Sequence, residues 1–122
     1  MTSALAEKKN GAYSAMQKRL RRAPVEIRVE IETKNGSIMA QARDFNPRGI
    51  SMVCGTRIET GDNIKLLLYI PSGKEFELMR IGAEVVWCKE QQGIFTLGAS
   101  FRGFAPGDER RYRAWILDQL KR

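Results

Sequence analysis

From Pro24 to Thr33, apolar Val25, Ile27, Val29 and Ile31 alternate with Glu26, Arg28, Glu30 and Glu32. Successive strand side chains point to opposite faces, so this period of two predicts a half-buried strand with its β-branched residues inward. Lys34-Asn35-Gly36 follows, and its Asn-Gly pair, both tolerant of positive φ, predicts a tight hairpin. A second strand is expected over Ser37–Asp44, with Ile38, Ala40 and Ala42 on one side. Asn46-Pro47-Arg48-Gly49 reads as the next turn, after which Ile50, Met52 and Cys54 resume the alternation. Thr60-Gly61-Asp62 breaks the chain before Ile64–Ile70, and Pro71-Ser72-Gly73 leads into a long strand, Glu75–Trp87, with a kink at Gly82. Gln91-Gln92-Gly93 closes a hairpin onto Ile94–Phe101. Six short strands at this spacing predict an all-β barrel or sandwich.

The period then changes. Asp108, after Pro106-Gly107, reads as the N-cap of an amphipathic helix over 108–121, with Tyr112, Trp115, Ile116 and Leu120 on one face. Such a helix is expected to cover one open end of a barrel. Residues 1–17 are polar and mixed, but Tyr13, Met16 and Leu20 have helical spacing, which fits a short helix or a packed arm.

Composition narrows the function. The chain has 122 residues, enough for one domain, and its 43% hydrophobic content suffices to close a core. Lys and Arg number 21 against 14 Asp and Glu, giving +7, a field that favours anionic partners. The absence of His removes Ser-His and Cys-His catalysis, and two Cys alone cannot complete a tetrahedral zinc shell. Glu26, Glu30, Glu32, Glu75, Glu77 and Glu84 fall on the polar sides of strands, as solvated faces do. No catalytic residue, metal ligand or cofactor is therefore expected, and the chain reads as a binding module rather than an enzyme.

The longest apolar run, Ile64–Ile70, is broken by Lys65 and far too short to span a membrane. The N-terminus lacks the apolar core of a secretory signal, so a cytoplasmic location is expected. In that reducing compartment Cys54 and Cys88 read as buried free thiols; in a secreted protein they would read as a disulfide.

The run Gln17-Lys18-Arg19-Leu20-Arg21-Arg22 places four cations directly before the first strand. It reads either as a solvated linker or as an anion grip, since the planar Arg fork bonds two acceptors at once, notably guanine O6 and N7. Trp87 reads either as a core residue or as a rim aromatic able to stack on a base. Phe76, Phe95 and Phe101 read as interior, and with no stacking pattern of exposed aromatics, nucleic-acid binding is the least favoured of the anionic partners.

From about Lys18 to Leu120 the chain resembles the PilZ domain family. Three stretches carry the resemblance: the basic segment leading into Ala23-Pro24-Val25-Glu26-Ile27; Arg43-Asp44-Phe45-Asn46-Pro47-Arg48-Gly49-Ile50; and Ala83–Trp87 through Leu97-Gly98-Ala99-Ser100-Phe101, followed by the helix. The resemblance implies a six-stranded β-barrel with a C-terminal α-helix and a basic N-terminal arm, residues 18–122 forming the barrel domain after an arm of 1–17. It also implies binding of the bacterial second messenger cyclic di-GMP through an RxxxR motif and a (D/N)xSxxG turn. Arg22 matches the second arginine, but the first falls on Lys18. Asp44 and Gly49 match the turn, but Asn46 stands where the family has serine.

The implied ligand residues are Lys18, Arg19, Arg21, Arg22, Asp44, Asn46, Arg48, Gly49 and Trp87. The implied function is a receptor whose basic arm moves on nucleotide binding and signals to an unidentified partner protein, in motility, surface attachment, exopolysaccharide production or virulence. The alternative is a degenerate PilZ module that acts through protein contacts without the nucleotide.

Overall fold

The computed structural model describes residues 27–120. The basic run Lys18–Arg22, the arm before it, Pro24–Glu26, the side chain of Leu120 and residues 121–122 lie outside that description. The elements are β1 (Arg28–Thr33), β2 (Gly36–Asn46), β3 (Gly49–Cys54), β4 (Asn63–Ser72), β5 (Glu75–Gln91), β6 (Ile94–Phe104) and α1 (Asp108–Leu120). Every neighbouring pair is antiparallel, and the order β1-β2-β3-β6-β5-β4 closes on itself because β4 also pairs with β1. Closure gives each of the six described strands a partner on both sides.

The alternation of β1 holds: Ile27, Val29 and Ile31 are sealed in the core with Met52, Leu66, Leu68, Ile70, Met79, Ile81, Val85 and Leu97. The connection from β3 to β4 joins strands on different sides of the barrel and carries Ile58 into the core. The other end is covered by α1, as its apolar face predicts. Tyr112 and Ile116 are buried, and Trp115 packs on Phe45 with ring centroids 4.6 Å apart.

Several local expectations change. The first hairpin turns on Lys34-Asn35, neither of which takes positive φ; only Gly36, the first residue of β2, does, and Thr33 Oγ1 accepts the Asn35 N–H at 3.0 Å within the turn. Gln92 and Gly93 both take positive φ at the tip joining β5 and β6. β5 runs on to Gln91 and β6 to Phe104, since each gains pairing past the apolar stretch that marked it. The β5–β6 ladder is irregular directly after Gly82. Asp108 is not the cap; it begins the helix, and Arg111 N–H bonds Gly107 O instead. The Asp108 carboxylate accepts from Arg80 N at 2.9 Å and Arg111 Nη1 at 2.7 Å, tying α1 to β5. Both cysteines are free, but only Cys54 is buried; Cys88 is half-buried. Burial pushes the Cys54 thiol up. Phe76 is exposed rather than interior.

Candidate functional site

Three bulges decide what the outer face of the barrel carries. In β2, Ala42 opposes Met52 and Asp44 opposes Ser51, leaving Arg43 without an opposite number. Strict alternation from Ile38 would aim Asp44 into the core. The extra residue reverses the phase, so Asp44 shares the outer face with Ser51, while Phe45 joins Ile50 inside. In β5, Val85 opposes Ala99 and Trp87 opposes Gly98, with Val86 displaced outward. That shift takes Trp87 out of the register of Ile81, Ala83 and Val85 and lays it on the outer face. In β6, Arg102 is the extra residue between Phe101 and Gly103. Bulges near functional sites commonly re-aim single side chains in this way.

The result is a continuous row across four strands: Asp44 on β2, Ser51 on β3, Gly98 on β6 and Trp87 on β5. Gly98 makes the row flat, since a Cβ there would overlap the Trp87 indole. The indole is half-buried, lies outside the core cluster and has Lys89 Nζ 5.8 Å from its ring centre. Trp87 is therefore the rim aromatic, not the core residue. Asp44 and Ser51 are 7% and 3% exposed, and Ser51 Oγ has no hydrogen-bond partner among the described residues. A buried polar group without a partner is uncommon enough to mark the position.

The next row runs Asn46, Gly49, Ser100, Glu84. Asn46 Oδ1 accepts from Arg48 N at 2.7 Å and Gly49 N at 2.9 Å, so its carboxamide closes the turn. Gly49 is required sterically: a Cβ would sit 2.6 Å from Ala99 O. Tyr112 clamps the turn from the core side by donating to Asn46 O at 2.8 Å. Burial holds its phenol well above the ordinary range. Arg48 lies exposed at the turn tip. Arg102 Nε and Nη2 donate to Glu84 Oε1 at 3.1 and 2.6 Å, and Nη1 donates to Ser100 Oγ at 3.0 Å.

The structure thus gathers Asp44, Asn46, Gly49 and Trp87, with Arg48 beside them, on one face. Lys18, Arg19, Arg21 and Arg22 lie outside the described residues. Ser51, Gly98, Glu84, Ser100 and Arg102 were missed, because alternation alone does not reveal where a strand skips a residue. No group of three or more His, Cys, Asp or Glu among the described residues could hold a metal ion. No helix among them is long and apolar enough to cross a membrane.

The chain is thus a closed six-stranded barrel with a helix over one end and a turn-and-tryptophan face on its outside. The PilZ domain model matches residues 17–118, and the chain belongs to that family. No curated protein sequence matches it. Solved structures similar in fold include the Bacillus subtilis inhibitor of motility MotI/DgrA, at 15% identity and TM-score 0.69, over 82% of this chain and 49% of that one. MrkH of K. pneumonia in its apo state matches at 14% and 0.66, over 83% and 49%. YcgR of Escherichia coli, solved in complex with c-di-GMP, matches at 13% and 0.66, over 83% and 44%. The chain spans about half the length of these proteins.

Proposed function

We propose that the chain is a cyclic di-GMP receptor whose ligand lies on the outer face of β2, β3, β6 and β5. The observation that carries this is the bulge-built row from Asp44 to Trp87 beside the Asn46-closed turn. Trp87 offers a stacking surface for a guanine, Asp44 an acceptor for guanine N–H groups, and Gly49 close access to backbone. Arg22 and Lys18 bring charge to the two phosphates, and their closing over the nucleotide reshapes the surface a partner protein reads. Lys18 lacks the bidentate fork of an arginine, which weakens that contact without removing its Coulombic attraction.

Isothermal titration with cyclic di-GMP tests the reading. Micromolar or tighter binding that Arg22→Ala abolishes is the expected result; no heat from wild-type protein at high concentration overturns it. One observation favours the alternative of a module acting through protein contacts alone. Asn46 Oδ1 is committed to two backbone N–H groups where the family's ligand turn has serine. On that reading a partner is retained without nucleotide and the titration is silent.

A further inference from the structure

We propose that Arg102 is the specificity-determining residue of this face, reading the O6/N7 edge of a guanine. The inference rests on the cyclic di-GMP reading and adds to it a residue outside both family motifs. Arg102 is the bulged residue of β6, so its side chain is not bound to the strand's alternation and swings over Ser100 and Glu84. A guanidinium has five N–H donors. Among the described residues three are engaged, two by Glu84 Oε1 and one by Ser100 Oγ, leaving one on each terminal nitrogen. Those are the donors that a bidentate contact to two acceptors uses.

The hold also selects the ligand chemistry. Glu84 fixes the guanidinium plane and cancels its charge, so the pair together is neutral. A phosphate brought against it would meet the Glu84 carboxylate as well, whereas the uncharged O6/N7 edge of guanine presents two acceptors without that repulsion. Adenine presents N7 but a donor at N6, which opposes an arginine N–H. The position suits the task, because Ser100 and Glu84 stand one row along from Gly98 and Trp87. Two residues along a strand is about 6.6 Å, within reach of a base stacked on the indole.

The test is titration of wild type, Arg102→Ala and Arg102→Lys with cyclic di-GMP and cyclic di-AMP. Arg57→Ala serves as control: Arg57 forms a comparable exposed pair with Glu90, and the side-chain exposures are 53% for Arg57 and 51% for Arg102. Loss of one good bidentate base contact weakens cyclic di-GMP binding about 5- to 150-fold. Both Arg102 variants should show it, cyclic di-AMP binding should change less than about twofold, and Arg57→Ala should match wild type. Unchanged cyclic di-GMP affinity in Arg102→Ala overturns the inference while leaving the receptor reading intact. Equal losses for both nucleotides also overturn it, assigning Arg102 to phosphate. Silence from wild type overturns the receptor reading and this inference with it.

Discussion

Adding one methyl group at Gly98 should cost more in ligand affinity than in stability. In Gly98→Ala the new Cβ falls within the indole of Trp87. Carbon pairs rest about 3.5–4.0 Å apart, so the ring must lift from the strand by roughly an ångström or tilt away. Two effects on stability oppose each other. Glycine in a strand interior is about 0.5–1 kcal/mol worse than alanine, while crowding a packed contact costs about 1–3 kcal/mol. Because the half-buried indole can yield into solvent, the net loss should stay near the lower end, about 0–2 kcal/mol. Ligand binding has no such compensation. A base stacked on an aromatic ring contributes about 1–3 kcal/mol, so displacing the ring should weaken cyclic di-GMP binding about 5- to 150-fold. The assay pairs titration calorimetry with the indole N–H resonances of the two tryptophans, Trp87 and Trp115. One resonance should move strongly without nucleotide, and it should vanish in Trp87→Phe. An unmoved indole resonance together with wild-type affinity would refute the flat-row argument.

Asp108→Ala should lower the urea midpoint by the equivalent of about 1.5–3 kcal/mol, since it removes a buried acceptor from the Arg80 N–H and the Arg111 guanidinium. Asp108→Asn, which keeps one acceptor, should lose less; equal loss would show that the carboxylate's bonds are not the cause. Burial raises the Tyr112 phenol above its unfolded value near 10, so its contribution to stability is intact below about pH 10 and lost as the pH rises beyond it. Stability measured from about pH 8 to 11 should therefore fall more steeply in wild type than in Tyr112→Phe, by at most about 1.4 kcal/mol per pH unit. Parallel slopes would argue against it.

Much of the fold was legible because strand alternation and turn chemistry are local. Val29 and Ile31 announce an inner face, Gly36, Gly73 and Gly93 take the positive φ of turns, and the change to helical period places Tyr112 and Ile116 inward. The (D/N)xSxxG-like turn was legible too, since its residues are contiguous. Alternation taken alone would misplace two residues that the family resemblance assigns to the site. The inward register of Ile81, Ala83 and Val85 predicts that Trp87 points into the core, and the register of Ile38, Ala40 and Ala42 predicts the same of Asp44. Each lies one bulge beyond the point where the prediction holds. Asp108 looks like a cap in one dimension, yet its carboxylate answers an N–H on β5.

The sequence alone determined the six strands, the closing helix, the positive field and the family to which the chain belongs. Hydrophobic period, turn residues and charge act within a few residues of one another, so they survive without coordinates. Tertiary structure decided which side chains share one outer face of the barrel. A bulge is an extra residue measured against a partner strand, and the two bulged hairpins meet only through the long-range β3–β6 ladder, where Ser51 opposes Gly98. Only when β2, β3, β6 and β5 are laid side by side do Asp44, Ser51, Gly98 and Trp87 form one row, with Arg102 at its margin.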